Sequence, residues 1–441
     1  MLDQKTHAAV RFGQGLAPGE LGRIGNDPRG WLLDQLAARN LVPDAYAGMD
    51  SGAERTAALL SKAKKSTGAV GSFVKTVSAP AYRYDVNRML TAAILSDTPF
   101  IERLAHFWAN HFTVSADRPA LLGLVVPFEI EAIRPQLLGS FAELLIASTS
   151  HQAMLLYLDN AKSFGPNSKA GRRKDFGLNE NLAREVLELH TLGVQGGYTQ
   201  DDVRALAMIL TGWTLQRPED DEPGAFQFAQ KGHEPGDKTL LGRRFREDGM
   251  QEGVGALTML GTHPATARHV ALKLARHFIG DEPPDASVDR LARAFLDTGG
   301  DLPSLYAALV AEDAAWTSPL AKLKTPQELV VSTLRAIAFT NDLKDTLPSL
   351  KILGHMPYYA PSPAGYSDLG KDWAGPDQIL KRVDWAAVAG GKIAEGVDPN
   401  VYLAAALGGF VDDDLAFMVK SAPSRPEALA LVLAHPSFQR R

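Results

Sequence analysis

Two carboxylates one helical turn apart are the most promising chemical feature of this chain. Glu185 and Glu188 lie in a stretch with helical periodicity, and at about 100° per residue both fall on one flank together with Asn181. Neighbouring carboxylates can bind a divalent metal ion or share proton transfer. Alternatively, nearby arginines neutralise them in a structural ion-pair network. The spacing alone is compatible with both interpretations.

Histidines supply the other candidate ligands and bases. On a helix predicted for residues 99–112, His111 falls in the apolar stripe, whereas His106 falls on the polar face and is expected to be solvated. His233 belongs to a predicted turn in a long loop, and His263 precedes a proline that begins a helix. Single histidines of this kind are usually structural, but neutral imidazole is also the commonest metal ligand. We therefore expect His111, His233 and His263 to approach the carboxylates from other elements.

The helix that carries the carboxylates does not carry a di-iron motif. Around a regular α-helix His190 lies about 140° from Glu185, so one ion cannot easily contact both side chains. The ferritin-like pattern needs a glutamate three residues before the histidine, and Leu187 occupies that position. Because only oxygen and nitrogen ligands are present, a bound metal is expected to be zinc, iron or manganese.

These residues lead to the hypothesis of a metal-dependent enzyme, hydrolytic or oxidative, that acts on an anionic substrate. Its predicted catalytic residues are Glu185, Glu188 and His111. The predicted metal ligands are the same three residues with His233 and His263. The predicted substrate-binding residues are Asn181, Arg184 and Arg276.

Composition excludes several other functions. The net charge of −5 provides no basic stripe for nucleic acid. The absence of cysteine excludes disulfides, thiolate catalysis and thiolate metal sites. No stretch of about 18 apolar residues predicts a membrane span, and the first residues show no signal peptide. We therefore expect a soluble protein, with a cytoplasmic location favoured and a periplasmic one left open.

The elements that must position these residues are almost all helices. Helical periodicity dominates, and strand-like alternation is rare. This pattern predicts an all-α protein with a large multi-helix bundle-like body, one or two closely packed lobes, and long irregular loops. The whole chain, residues 1–441, is expected to form one helical domain, with lobes at 1–215 and 250–441 joined by a loop at 216–249. Two further irregular segments are predicted at residues 158–178 and 358–375.

Several longer strings carry a resemblance to a known family. They are ERLAHFWANHFTVS (102–115), AMLLYLDNAKSFGPNS (153–168), GLNENLAREVLELHTLGVQGGYTQDDV (177–203), HEPG (233–236), HPATARHVALKLARHF (263–278), KTPQELV (324–330), SPAG (362–365) and HPSFQRR (435–441). Together they resemble the bacterial family catalogued as domain of unknown function 1800, nearly from end to end. The resemblance implies a mostly helical protein of undetermined activity, in a family whose members often carry an export signal.

Two alternatives to the enzyme hypothesis follow. Genes of the resembled family often neighbour those of a sulfatase- or phosphatase-like family, so the chain is alternatively a non-catalytic partner or maturation factor of such a protein. A third hypothesis is binding of carbohydrate or a cell-wall polymer by aromatic residues of the loops. Those aromatic residues are Trp213, Tyr358, Tyr359, Tyr366 and Trp373.

Overall fold

Helices form nearly all of the regular structure, which confirms the predicted all-α class. The computed structural model describes residues 3–173, 177–317, 320–340, 343–344 and 346–441, so residues 174–176 of the predicted loop at 158–178 lie outside the described residues. In the first half the α-helices are α1 (Gln4–His7), α2 (Glu20–Ile24), α3 (Pro28–Asp34), α4 (Gly52–Ala63), α5 (Thr67–Phe73), α6 (Ala79–Leu95), α7 (Pro99–His111), α8 (Val125–Phe128), α9 (Phe141–Ser150), α10 (Gln152–Tyr157), α11 (Asn181–Glu185) and α12 (Gln200–Ile209).

The second half continues the helical pattern. None of the described helices is long and apolar enough to cross a membrane. The later α-helices are α13 (Met250–Gly261), α14 (Pro264–Phe278), α15 (Asp285–Asp297), α16 (Leu302–Ala311), α17 (Ala314–Thr317), α18 (Pro326–Arg335), α19 (Thr346–Ile352), α20 (Pro376–Ile393), α21 (Pro399–Leu407), α22 (Asp413–Ser421), α23 (Arg425–Ala434) and α24 (Pro436–Gln439).

The predicted loop at 216–249 contains three short strands, and a fourth directly precedes it, none of which the sequence pattern indicated. β1 (Trp213–Leu215) pairs antiparallel with β2 (Phe226–Phe228), and β3 (Lys238–Leu240) pairs antiparallel with β4 (Arg243–Phe245). Between β3 and β4 only two residues remain, and both have positive φ, as a tight hairpin turn requires. The division of the chain into lobes at 1–215 and 250–441 stays a prediction.

Within the described residues, four π-helical segments directly follow α-helices. In a π-helix the backbone hydrogen bonds run from i to i+5, so side chains no longer follow the 100° spacing of an α-helix. Such segments are rare and frequently occur at functional sites. The four segments are Ala8–Phe12 after α1, Val74–Ser78 after α5, Glu129–Ile133 after α8 and Val186–Thr191 after α11.

The hydrophobic core surrounds α7, which carries both His106 and His111. Ten of the thirteen residues of α7 are buried. Trp108 is fully buried, and its Nε1 donates a hydrogen bond to Tyr306 Oη at 2.6 Å. Because α7 is held on several sides, the side chains on its polar face also meet protein rather than bulk water.

Buried arginines connect segments that are distant in the sequence. Arg335 on α18 donates to Glu20 Oε1 at 2.6 Å, and both side chains are fully buried. Arg134 contacts Glu102 on α7 and Glu129 in the third π-helical segment. Removing one partner of such a pair leaves an uncompensated buried charge and typically costs about 3–5 kcal/mol. The first pair therefore fixes α2 against α18, and the Arg134 pairs fix α7 against the third π-helical segment.

Candidate functional site

A polar pocket beside α7 brings together histidines, arginines, a lysine, carboxylates and tyrosines from distant parts of the chain. Its volume is about 120 Å³, enough for several water molecules or a small ligand. We call it the imidazole pocket. Its titratable and hydrogen-bonding lining residues include Arg103, His106, Asn110, His277, Lys322, Glu328, His355, Tyr358, Tyr366, Trp373 and Arg441.

Three histidines reach the pocket from three different segments. His106 comes from α7, His277 from the last turn of α14, and His355 from the segment after α19. Stacking against Trp373, with ring centroids 5.1 Å apart, orients His355. Phe107 packs edge-on against His277 at 5.3 Å. The long-range packing of α7, α14 and α19 thus creates the histidine cluster.

Each of these imidazoles keeps one buried ring nitrogen without a hydrogen-bond partner in the described protein. The atoms are His106 Nε2, His277 Nε2 and His355 Nδ1. Gln14 Nε2 donates to His106 Nδ1 at 3.3 Å, so the proton of a neutral His106 is on Nε2. A buried polar atom without a partner costs free energy that a bound ligand can recover. These three nitrogens therefore indicate a ligand site.

Burial keeps all three imidazoles neutral. It lowers the pKa of His355 to about 3, with the negative charge of Glu328 opposing the shift. Burial also lowers the pKa of His106, and it lowers that of His277 well below its ordinary value, where Arg441 adds to the effect. A neutral imidazole accepts a proton at one nitrogen and donates a hydrogen bond at the other.

A carboxylate between two guanidinium groups forms the charged wall of the pocket. Glu328 Oε1 lies 2.5 Å from Arg103 Nη1 and 2.8 Å from Arg441 Nε. Although burial opposes ionisation, Arg441 and Arg103 hold the pKa of Glu328 well below its usual range. Thr325 and Glu328 also form the capping box of α18, which fixes the carboxylate. Two buried cations thus share one carboxylate.

Glu129 is a second carboxylate in the pocket lining. Tyr358 Oη donates to Glu129 Oε2 at 2.5 Å, and Arg134 Nε donates to Glu129 Oε1 at 2.9 Å. Burial raises the pKa of Tyr358 well above its ordinary value, and Glu129 adds to this shift. Tyr358 therefore remains a protonated donor at neutral pH.

The predicted carboxylate pair lies elsewhere, on the partly exposed side of α11 and the π-helical segment after it. Burial raises the pKa of Glu185, and Glu188 raises it further. Tyr198 Oη donates to Glu188 Oε2 at 3.3 Å. Arg184 pairs with Glu180 instead, and Asn181 is exposed to solvent. Among the described residues no cation forms an ion pair with either carboxylate.

His111 belongs to a second, inner group of histidines. Its Nε2 donates to the carbonyl of His190 at 3.0 Å, and His269 Nε2 donates to the carbonyl of Leu189 at 3.0 Å. Burial lowers the pKa of His111 well below its ordinary value, and Lys273 contributes. The ring centroids of His111 and His190 are 6.2 Å apart. The inner group is thus held by backbone carbonyls of the π-helical segment.

The other predicted ligands have structural partners. His233 Nε2 lies 3.0 Å from Glu252 Oε2, which also pairs with Lys238 at 3.0 Å. His263 is the N-cap of α14, since its Nδ1 accepts from Ala265 N at 3.1 Å. His151 and His435 cap α10 and α24 in the same way. Arg276 directly precedes His277, and its carbonyl accepts a hydrogen bond from Lys322.

The predicted metal ligands are therefore not gathered into one coordination sphere. In the described ranges, no group of three or more His, Asp or Glu side chains is arranged to hold a metal ion. The aromatic residues expected to bind carbohydrate do not form an exposed surface either. Trp213 is fully buried, Tyr358, Tyr366 and Trp373 face the imidazole pocket, and the half-buried Tyr359 packs edge-on against Tyr82.

Comparison with known proteins supports the resemblance read from the sequence motifs. A family model described as "Protein of unknown function (DUF1800)" matches residues 7–440. The chain belongs to the DUF1800 family. Neither a curated protein nor a solved structure matches it. The family assignment therefore supplies no activity, and the function has to be argued from the pocket.

Several of the motifs that carry the DUF1800 resemblance line the pocket, but the lining residues are not the catalytic residues and metal ligands that we predicted from the sequence. The strings at 102–115, 263–278, 324–330 and 435–441 each contribute lining residues, whereas the central string at 177–203 contributes none. Sequence reasoning placed His106 in solvent, which is wrong, because the polar face of α7 is covered by distant segments. The available signal was that each of these four motifs contains at least one His, Arg or Glu residue.

Proposed function

We propose that this protein is an enzyme that performs acid–base chemistry on a small anionic molecule bound in the imidazole pocket. The observation that carries the proposal is the meeting of three neutral imidazoles, each with a buried ring nitrogen that no protein group binds. A substrate that supplies these hydrogen bonds recovers the cost of leaving the nitrogens unpaired.

The imidazoles divide into a donor and two acceptors in this proposal. His106 presents Nε2–H to the pocket because Gln14 occupies its other nitrogen. His277 and His355 offer proton-accepting nitrogens, and binding of an anion raises their depressed pKa values toward neutrality. Arg103 and Arg441 orient the negative charge of the substrate.

A backbone strap completes the pocket and positions its aromatic wall. Asn110 Nδ2 donates to the carbonyl of Tyr366, and Tyr366 N donates to Asn110 Oδ1, at 2.9 and 2.8 Å. Trp373 Nε1 donates to the carbonyl of Ser367 at 3.1 Å. These contacts hold Trp373 against His355, so we assign Asn110 a positioning role.

Conversion of an unknown substrate tests the proposal. Purified protein is incubated with a polar metabolite extract, and the mixture is compared by mass spectrometry before and after. We expect at least one small anion to be consumed, and the double variant His106→Gln with His355→Gln to lose about 100-fold or more of the rate. The control is His435→Asn, because His435 lies outside the pocket and asparagine can still serve as the N-cap of α24. This variant should retain activity. Equal conversion by the double variant and the control contradicts the proposal.

Metal dependence is a separate part of the original hypothesis and has its own test. Glu185 and Glu188 lie outside the pocket, and the described residues offer no three-ligand site, so no catalytic step is assigned to a metal ion. Protein incubated with zinc, iron or manganese and then desalted is analysed for bound metal. Less than about a tenth of an equivalent contradicts metal dependence, because folded metal sites retain their ion.

Binding of another protein is a second candidate function, favoured by exposed apolar side chains on the C-terminal helices. Leu380 on α20, Val401 on α21 and Phe417 on α22 are 66%, 66% and 70% exposed. Such side chains are typical of interaction surfaces where they form one contiguous patch. Co-purification with the sulfatase- or phosphatase-like protein of a neighbouring gene tests this role. If a variant with Val401→Asp and Phe417→Asp still co-purifies with that protein, binding through this surface is contradicted.

A further inference from the structure

A second, more open groove lies directly outside the imidazole pocket. Its volume is about 350 Å³, and it shares Lys322, Leu323 and Gly370 with the pocket. Gly370 packs tightly against this boundary, since a Cβ placed there would lie 3.0 Å from Leu323 N. Gly370 and the side chain of Lys322 therefore lie between the groove and the pocket.

The groove carries more positive than negative side chains. Lys322, Lys371 and Arg440 line it, whereas Asp281 is the carboxylate among its described lining residues. Asp281 is already occupied by Lys322 Nζ at 3.0 Å and by the backbone N–H groups of Gly370 and Lys371. In the described structure neither Lys371 nor Arg440 has an ion-pair partner, and both are exposed. The groove therefore offers uncompensated cations to a ligand.

The pocket itself is balanced in charge, because Arg103, Lys322 and Arg441 line it together with Glu129, Glu328 and Asp368. Arg103 and Arg441 line the pocket and share Glu328, and Lys324 and Arg382 lie behind that carboxylate. Burial lowers the pKa of Lys324 to about 7, an effect that the neighbouring arginines strengthen. Guanidinium groups stay protonated at neutral pH, so Arg103 and Arg441 remain cations that an entering anion can contact.

We infer that this groove is the entrance to the imidazole pocket and that its cations select a small oxyanion, carrying a carboxylate, phosphate or sulfate group. The inference rests on the proposed function, for which it names the route and the substrate class. Lys371 and Arg440 act first, by attracting the anion to the groove. Lys322 stands at the boundary, where its Nζ also donates to the carbonyls of Arg276 and Asp368. A charged rim with low-dielectric walls raises association rates by about 10-fold or more.

Alkylation with a matched pair of reagents tests the inference. Iodoacetate carries a carboxylate, and iodoacetamide is its neutral analogue of nearly the same size. In both reactions an imidazole nitrogen forms a bond to the CH₂ carbon, iodide leaves, and a proton is released. The chain has no cysteine to compete for the reagents. Peptide mass spectrometry measures the rate separately at His106, His277 and His355, with the half-buried cap residue His263 as an internal reference.

We expect iodoacetate to modify the pocket histidines about 10-fold faster than iodoacetamide, relative to the same ratio at His263. The double variant Lys371→Glu with Arg440→Glu should remove most of this preference. The control Lys65→Glu with Lys169→Glu makes the same change of net charge at exposed positions outside the groove and should keep it. Millimolar phosphate should protect the pocket histidines from iodoacetate in the wild type.

Three results would overturn the inference. They are an equal or slower reaction with iodoacetate, an unchanged preference in the groove variant, and no modification of the pocket histidines by either reagent. A different result would contradict the proposed function. If the protein shows the preference for iodoacetate but converts no metabolite, the groove is still an entrance for anions, but the protein is not the proposed enzyme.

Discussion

Glu328 offers the sharpest test of how charge is arranged around the pocket. Replacing it by glutamine removes the negative charge that Arg103 and Arg441 share, while keeping a residue that supports the capping box of α18. The two guanidinium groups then stay buried without a carboxylate. Loss of one partner from a buried ion pair costs about 3–5 kcal/mol, so Glu328→Gln should lower the free energy of unfolding by about that amount.

The matched control is Glu143→Gln on α9. Ser140 and Glu143 form the same type of capping box, but the Glu143 side chain is exposed and has no guanidinium partner among the described residues. We expect this control to cost less than about 1 kcal/mol. Urea unfolding followed by tryptophan fluorescence at pH 7 measures both variants. If Glu328→Gln is no more destabilising than Glu143→Gln, the buried charge cluster does not have the energetic role assigned to it.

The pH dependence gives a second check on the same variant. In the folded protein the pKa of Glu328 is well below its ordinary value of 4.5. Its contribution to stability is therefore fully present above pH 4.5 and is lost as the pH falls toward the folded-state pKa. The difference in unfolding free energy between wild type and Glu328→Gln should shrink below pH 4.5. A difference that stays constant down to pH 3 would contradict the assignment.

Two further predictions concern the histidines. Burial lowers the pKa of His190 and of His355 from 6.5 to about 3. Each therefore contributes stability that is complete above pH 6.5 and falls by about 1.4 kcal/mol per pH unit below it. The free energy of unfolding, measured in urea at pH 7.5, 6 and 5, should decline steeply, and a flat profile would be inconsistent with buried neutral imidazoles. Gly193→Ala forces alanine to φ +81° and places its Cβ 2.9 Å from His269 Nδ1, whereas Gly236→Ala meets the same type of φ in open space. Thermal unfolding should therefore show a loss of about 1–2 kcal/mol for the backbone strain in both variants and an additional loss only for Gly193→Ala; equal losses would refute the contact.

Local patterns were sufficient to predict the fold class and several helix ends. The apolar stripe on α7 correctly indicated that His111 is buried, and the His263-Pro264 pair correctly placed His263 at the start of α14. Gly193 was predictable as the end of a helix because a left-handed residue there favours glycine. These features depend on neighbours within one or two turns.

The geometry after residue 185 could not be predicted from an α-helical wheel. The segment Val186–Thr191 is π-helical, so the expected angle between Glu185 and His190 does not apply. Thr191 Oγ1 donates to the carbonyl of Val186, five residues earlier, which stabilises this wider turn. A single sequence gave no signal for the change of helical type.

The composition of the pocket depends on contacts between residues far apart in the chain. Glu328 meets Arg103 and Arg441, and His106 meets Gln14, across separations of 92 residues or more. Periodicity shows which face of α7 is polar, but it does not show that distant segments cover that face. Sequence reasoning therefore chose the conspicuous carboxylates of α11 and missed the histidines whose partners come from elsewhere.

The most direct test of the central claim is an anomalous diffraction measurement on crystals soaked in selenate, a heavy analogue of sulfate and phosphate. If the imidazole pocket is an oxyanion site, a selenium peak should appear inside it, within hydrogen-bonding distance of Arg103 or Arg441 and of at least one of His106, His277 and His355. Selenium peaks found only on the outer surface, with none in the pocket at a saturating selenate concentration, would contradict the claim.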